Sequence, residues 1–209
     1  MKQPEPVGSG KEPSPAPDVT PLLHILGYIH PLSPGVIDYL QKNVTACSAR
    51  KRKSLLKEGA YCDHVYFLVK GAVRGFRREG QKDITTWIVV ENEMVTSIFS
   101  LDDRAPSIEN IQALENSELL ALTYAQLDEL YLLYPEFNII VRKLLQRYYA
   151  DAERRAFIAR LTKAENKYRH FLLLHQPLAN RIPLKYIASY LGMTLETLSR
   201  VRKKFTSRV

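Results

Sequence analysis

The hydrophobic pattern of this 209-residue chain changes its period near Tyr124, and that change limits the folds available to it. Between about residues 48 and 123, short runs rich in β-branched and aromatic side chains alternate with glycines and polar clusters. Such runs predict an antiparallel barrel or sandwich. After Tyr124, apolar residues recur at intervals of three and four, which predicts helices. We therefore expect an α+β fold, with strands at residues 65–69, 73–76, 84–90, 108–114 and 119–122.

The first 20 residues are rich in Pro, Gly, Ser and Glu and contain almost no large apolar side chain. Because such a segment buries too little surface to offset the entropy of ordering, we predict a disordered tail over residues 1–20. From residue 21 to residue 43, apolar residues at helical spacing predict short helices that cover a core formed elsewhere. The basic run at residues 50–53 is interpreted as a solvated strand end.

A long helix is predicted from Pro135 to about residue 161, because proline suits the first helical turn and two apolar stripes follow. One stripe can pack on the β-rich part of the chain. The other would stay exposed in a monomer, so we expect a homodimer through this helix, with a plain core helix as the alternative. The stripes are Phe137, Val141, Leu144 and Tyr148, and Leu145, Tyr149, Ala152, Ala156 and Ala159.

The net charge of +8 is unevenly spread along the chain. Residues 135–209 carry 16 Lys and Arg against 5 Asp and Glu, a balance of +11. Residues 1–134 carry 14 and 17, a balance of −3. This asymmetry indicates that the C-terminal part binds a polyanion, with a solvated basic surface as the alternative.

Two short helices joined by a turn at Gly192 are predicted near the C-terminal end. The first is indicated by Leu184, Ile187, Ala188 and Leu191, which follow the spacing i, i+3, i+4 and i+7. Thr194 suits the N-cap of the second, so the pair has the sequence form of a helix-turn-helix. One side of the second helix holds Leu198, Val201 and Phe205. The other side holds Glu196, Ser199, Arg200 and Lys203, at a width that a DNA major groove accepts.

The same segment resembles the helix-turn-helix of the Crp/Fnr transcription regulators: it reads IPLKYIASYLGMTLETLSRVRKKF, and LETLSR is similar to their recognition helix. The β-rich part resembles the start of their cyclic-nucleotide-binding β-roll, where it reads LLKEGAYCDHVYFLVKGAVRGF. The resemblance implies an antiparallel, jelly-roll-like sensor domain at 21–134, a dimerisation helix at 135–161 and a winged helix-turn-helix at 162–209.

That resemblance also implies a function. A chain of this kind would be a sequence-specific DNA-binding transcription regulator that binds a palindromic operator as a homodimer and contacts RNA polymerase. Glu196 would accept a hydrogen bond from a cytosine amine and hold Arg200 toward guanine. The residues that the resemblance assigns to DNA binding are Thr194, Glu196, Thr197, Ser199, Arg200 and Lys203.

The expected ligand pocket departs from the family pattern. Members that bind cyclic AMP carry a Gly-Glu pair and, some ten residues later, an Arg-Ser pair. Here Thr96 and Ser97 stand near the first pair, and Ser107 follows a proline near the second. The phosphate arginine and the ribose carboxylate are therefore missing, and only Arg104 is available as a substitute. We expect a degenerate pocket of Thr96, Ser97, Arg104 and Ser107, with an unknown effector other than cyclic AMP.

Other classes of function find little support in the sequence. Cys47, Cys62 and the five histidines lack metal-ligand spacing, so no metal or iron–sulfur cofactor is expected. No nucleophile elbow or phosphate-binding glycine loop indicates an enzyme. No apolar run approaches the roughly 20 residues of a membrane span, and we expect a cytoplasmic protein without a membrane partner. The alternative function is a small-molecule sensor that acts through a protein or membrane partner.

Overall fold

The fold places helices before and after a β-roll. A computed structural model describes residues 16–206, which begin with α1 (Thr20–Ile29) and α2 (Pro34–Asn43). The roll follows and consists of β1 (Thr45–Ala49), β2 (Ser54–Leu56), β3 (His64–Lys70), β4 (Ala72–Glu79), β5 (Lys82–Val90), β6 (Met94–Val95), α3 (Ile98–Asp102), β7 (Asn110–Ala113) and β8 (Ser117–Thr123). The C-terminal helices are α4 (Tyr124–Leu133), α5 (Pro135–Arg160), α6 (Ala164–His175), α7 (Leu178–Arg181), α8 (Leu184–Tyr190) and α9 (Leu195–Thr206).

The roll consists of two antiparallel sheets, with strand orders β1-β8-β3-β6 and β2-β7-β4-β5. Its core lies between the sheets and includes Leu68, Val73, Val95 and Ile111. Gly71 joins β3 to β4 at a φ of +112°, where a side chain would also meet the backbone of Ser117. The predicted α+β class and antiparallel roll are therefore confirmed.

Three strands were not predicted, because they are short or lack an alternation of apolar and polar residues. β2 and β6 contain three and two residues, and β1 has the exposure pattern of an edge rather than of a half-buried strand. The basic run at residues 50–53 forms the exposed turn between β1 and β2. Its interpretation as a solvated strand end is thus confirmed.

Ordered structure begins before the predicted end of the N-terminal tail. Val19 is buried, and α1 starts at Thr20 with a proline in its first turn. The backbone N–H of Thr20 donates to the carboxylate of Asp18 at 2.9 Å, which satisfies one free donor of the helix. Residues 16–20 thus correct the predicted tail, while residues 1–15 lie outside the described part of the chain.

The long helix α5 packs one of its faces on the rest of the protomer. Phe137, Ile140 and Leu144 are buried in a cluster that also contains residues of α1, α2 and β8. Leu145 and Tyr149, on another face, are 48% and 67% exposed. Helix α5 has 26 residues, but no helix within residues 16–206 is both long enough and apolar enough to cross a membrane.

The predicted wing has no counterpart in the described residues, because no β-strand follows Thr123 before residue 206. Between α6 and α8 lie only residues 176–183, and four of these form α7. A hairpin needs more chain than this connection leaves free. The helix-turn-helix pair itself is present as α8 and α9.

Candidate DNA-binding helix and ligand cavity

The turn between α8 and α9 is fixed by backbone hydrogen bonds. Gly192 adopts a φ of +61°, its N–H donates to the Ser189 carbonyl at 3.1 Å, and the next N–H donates to the Ala188 carbonyl at 3.0 Å. This is a Schellman ending, which favours glycine at its left-handed position. The buried ammonium of Lys167 on α6 donates to the Leu191 carbonyl at 3.1 Å. The angle between the two helices is therefore held by a third helix, a role of Lys167 that no sequence pattern indicated.

Helix α9 begins with the predicted cap. The Thr194 hydroxyl accepts the N–H of Thr197 at 3.2 Å, which confirms Thr194 as the N-cap. Leu198 and Val201 are buried against the other C-terminal helices, and Phe205 packs on the same cluster. The opposite side of α9 consequently faces outward.

The predicted DNA-binding residues lie on that outward side or at its N-terminal end. Glu196, Arg200 and Lys203 are exposed, and Ser199 beside them is half-buried. Thr194 is exposed, whereas Thr197 borders the buried side and its hydroxyl lies 3.1 Å from that of Thr194. The structure thus brings four of the six side chains onto one face and leaves two threonines at the helix start.

Glu196 has favourable partners in the absence of DNA. It lies in the first turn of α9, where unpaired N–H groups and the helix dipole favour negative charge. Its own backbone N–H, the Thr194 hydroxyl and then Arg200 lower the pKa of this carboxyl below its ordinary value. A negative charge on the basic helix therefore has a structural role that is independent of base recognition.

The residues predicted for the ligand pocket do not form one site. Ser97 and Ser107 are buried with their hydroxyl oxygens 3.3 Å apart, and the Ser107 hydroxyl donates to the Glu109 carbonyl. Arg104 does not line the cavity that lies between the roll and α5. Its Cζ atom lies 4.2 Å from the centroid of the Tyr124 ring, and its Nη1 atom lies 3.9 Å from a carboxylate oxygen of Asp63. The predicted grouping is corrected accordingly, because the serines satisfy each other and the arginine is held on the surface.

Thr96, the remaining member of the predicted pocket, lines a cavity of about 840 Å³ between the roll and α5. Most of the cavity wall is apolar, with Val65, Trp87 and Val89 among the contributing residues. Charged groups are gathered at one corner: Glu93, Arg147, Asp151, Arg154 and Arg155. His175 of α6 and Tyr190 of α8 also line it, so the cavity reaches the helix-turn-helix part.

Sequence and structure comparisons show which known proteins this chain resembles. Residues 47–134 match the cyclic nucleotide-binding domain family. The chain is 25% identical over 168 residues to the transcriptional activator protein FnrA of Stutzerimonas stutzeri, covering 75% of this chain and 68% of that protein. It is 25% identical over 169 residues to the transcriptional activator protein Anr of Pseudomonas protegens, with the same shares covered.

Solved structures show the same fold. FixK2 from Bradyrhizobium japonicum superposes with a TM-score of 0.68 at 20% identity, over 79% of this chain and 85% of that one. The c-di-GMP responsive regulator CLP of Xanthomonas campestris gives 0.66 at 18% identity, over 84% and 93%. The chain is therefore similar in sequence to two transcriptional activators, and it shares its fold with FixK2 and CLP.

Ion pairs around Arg181 join the helix-turn-helix part to the roll. Arg181 of α7 donates to Glu91 at 2.7 Å, to Glu115 at 2.8 Å and to the carbonyl of Gly71 at 3.3 Å. The guanidinium of Arg181 holds the pKa of Glu91 at about 2. The roll and the C-terminal helices are thereby joined through ion pairs.

Helix α8 also packs directly on β5. The Ser189 hydroxyl accepts the N–H of Thr85 at 2.9 Å and donates to the Asp83 carbonyl at 2.9 Å. Arg74 of β4 is 2% exposed, and its guanidinium lies 4.1 Å from the ring centroid of Tyr186 on α8. Sequence patterns gave no sign of these contacts, because each joins residues that are about one hundred positions apart.

Proposed function

We propose that this protein is a member of the Crp/Fnr family: a homodimeric, sequence-specific DNA-binding transcription regulator of the cytoplasm, without enzymatic activity. The observation that carries the proposal is the exposed face of Glu196, Ser199, Arg200 and Lys203 on a helix whose entry turn is fixed. The balance of +11 in residues 135–209 supports a polyanionic partner. Two relatives are named transcriptional activators, which supports regulation over the sensor alternative.

The proposed dimer interface is the exposed face of α5. Leu145, Tyr149 and Phe157 are large apolar side chains with about half or more of their surface exposed, and exposed alanines lie between them. A long helix with such a stripe buries it against a second copy. A two-fold dimer would present two copies of α9 to half-sites about 34–36 Å apart, so the operator is a palindrome. RNA polymerase remains a predicted further partner.

The effector is proposed to differ from cyclic AMP. The predicted pocket residues offer no arginine to a cyclic phosphate, because the guanidinium of Arg104 stacks on Tyr124 outside the cavity. The hydroxyl groups of Ser97 and Ser107 lie within hydrogen-bond distance of each other. Calorimetric titration of the dimer should show no cyclic AMP binding in the micromolar range. Micromolar binding that the change Arg104→Ala abolishes would contradict this assignment.

Selection of bound duplexes from a random DNA pool tests the function and yields the operator. Wild type and variants are then titrated against the operator and a scrambled duplex at several salt concentrations. Arg200→Ala should cost roughly 1 to 3 kcal/mol on the operator and relax preference at one G·C pair. Lys203→Ala should weaken binding to both duplexes alike and lower the salt slope by about one unit.

Glu196→Ala separates base reading from simple attraction. We expect slightly tighter binding to the scrambled duplex and a lower ratio of operator to scrambled binding. Glu153→Ala is the matched control, since it removes an exposed carboxylate from α5 rather than from α9. If both variants bind both duplexes more tightly by the same factor, Glu196 reads no base and the helix binds through charge alone.

A further inference from the structure

The face of α5 that packs on the roll changes character along its length. Leu144 and Ile158 are buried on this face. Arg147, Asp151 and Arg155 lie between them on the same side of the helix. All three line the cavity. Leu144 lines the cavity as well, so the wall that α5 contributes changes from apolar to charged along the helix, and the charged segment forms a polar subsite.

The charges at this corner are not balanced. Asp151 accepts a hydrogen bond from Arg154 at 3.1 Å. In the described part of the chain, the guanidinium groups of Arg147 and Arg155 make neither a hydrogen bond nor an ion pair. Burial raises the pKa of the Glu93 carboxyl to about 7, against the opposing effect of Arg147, so this acid is largely protonated below neutral pH. The corner therefore carries a positive surplus.

We infer that the cavity binds a small amphipathic anion, with its apolar body inside the roll and its acidic group held by Arg147 and Arg155. A volume of about 840 Å³ lies within the range of small-molecule sites. A nucleotide would leave its sugar hydroxyls against an apolar wall, whereas a body of rings or methylenes matches Val65, Trp87 and Val89.

The inference rests on the proposed function in one respect: such an anion would be the effector of the regulator. His175 and Tyr190 belong to α6 and α8 and line the same cavity as the roll residues. The roll, α5 and the helix-turn-helix part thus share the wall of one cavity. The binding free energy of the anion can therefore shift the position of the DNA-binding helices.

Two fluorescent probes of nearly the same shape test the inference on the full-length dimer. Anilinonaphthalene sulfonate has an apolar body and one anionic group, whereas phenylnaphthylamine lacks the sulfonate. Trp87 is the single tryptophan of the chain and lines the cavity, so emission sensitised by tryptophan excitation reports probe bound near it. The variants are Arg147→Gln and Arg155→Gln, with Arg160→Gln as a control that removes an exposed charge from the same helix outside the cavity.

Each of the two cavity variants should raise the Kd of the sulfonate probe about ten-fold or more. Both should leave the affinity for phenylnaphthylamine unchanged, and Arg160→Gln should leave both affinities unchanged. Decanoate should displace the sulfonate probe better than decanol. Equal losses in all three variants, or no loss in the cavity variants, would overturn the inference. Displacement by cyclic AMP as strong as that by decanoate would overturn the proposed ligand class.

A gel-shift assay of the same preparations keeps the two proposals apart. Failure to bind any duplex, together with arginine-dependent probe binding, would refute the regulator and leave the anion site standing. Operator binding with arginine-independent probe binding would refute the anion site alone. Circular dichroism melting of each variant confirms that a lost signal does not reflect an unfolded chain.

Discussion

Replacing Glu93 with Gln should remove a pH-dependent cost that the cavity imposes on folding. The carboxyl has a pKa of about 7 in the folded protein because it is buried, against an ordinary value of 4.5. Between these values the folded state holds a proton that the unfolded state has released, so the free energy of unfolding falls as pH rises through this window. A difference of about 2.5 units at 1.36 kcal/mol each gives a loss of about 3 kcal/mol by pH 8.

Urea denaturation of wild type and Glu93→Gln at pH 5, 6, 7 and 8 measures this loss. The two proteins should have similar stability near pH 5, where the wild-type side chain is neutral, and Glu93→Gln should be about 3 kcal/mol more stable at pH 8. Glu153→Gln is the control, since it neutralises an exposed acid on α5 and should follow the wild-type curve. Parallel curves for wild type and Glu93→Gln would refute the argument from burial.

Three further perturbations address the dimer, the link between the two parts of the chain and the roll. The double change Tyr149→Glu and Ala156→Glu should yield monomers in sedimentation, because it places charges on the exposed stripe of α5. If the variant is still a dimer, the dimer interface lies elsewhere. Arg181→Ala should speed amide exchange in α8 about ten-fold while helix content stays constant, and unchanged exchange would show that its ion pairs contribute nothing. Gly75→Ala should cost roughly 1 to 3 kcal/mol and red-shift tryptophan emission, since the added methyl group meets Trp87; an unchanged melting temperature would contradict this packing.

The parts of the fold that sequence alone predicted depend on local patterns. The period of three and four that begins after Tyr124 fixed the position of α5, and the pair Gly192 and Thr194 fixed the turn and cap of the helix-turn-helix. Both kinds of signal are properties of a few neighbouring residues, so one sequence suffices to find them. Strands of two or three residues carry too little pattern to be found in this way.

The candidate cavity could not be predicted because it is assembled from distant segments. Glu93 meets Arg147 and Arg155 only after the roll closes on α5, and no spacing in the sequence connects them. The hydrogen bond between Ser97 and Ser107 similarly depends on how the segment between these two residues folds back on itself. Comparison with the family pattern located these serines, but the side-chain geometry decides that they pair with each other.

Ala72, Ile88 and Leu114 of the roll lie in the same buried cluster as Leu178 and Ile187 of the C-terminal helices. Cutting the chain between α5 and α6 would therefore leave apolar surface on both fragments, and neither would be a soluble module by itself. The same feature means that heat or denaturant should melt roll and helix-turn-helix in a single transition. A helix-turn-helix grafted from another protein would therefore need side chains that match the surface of β4 and β5.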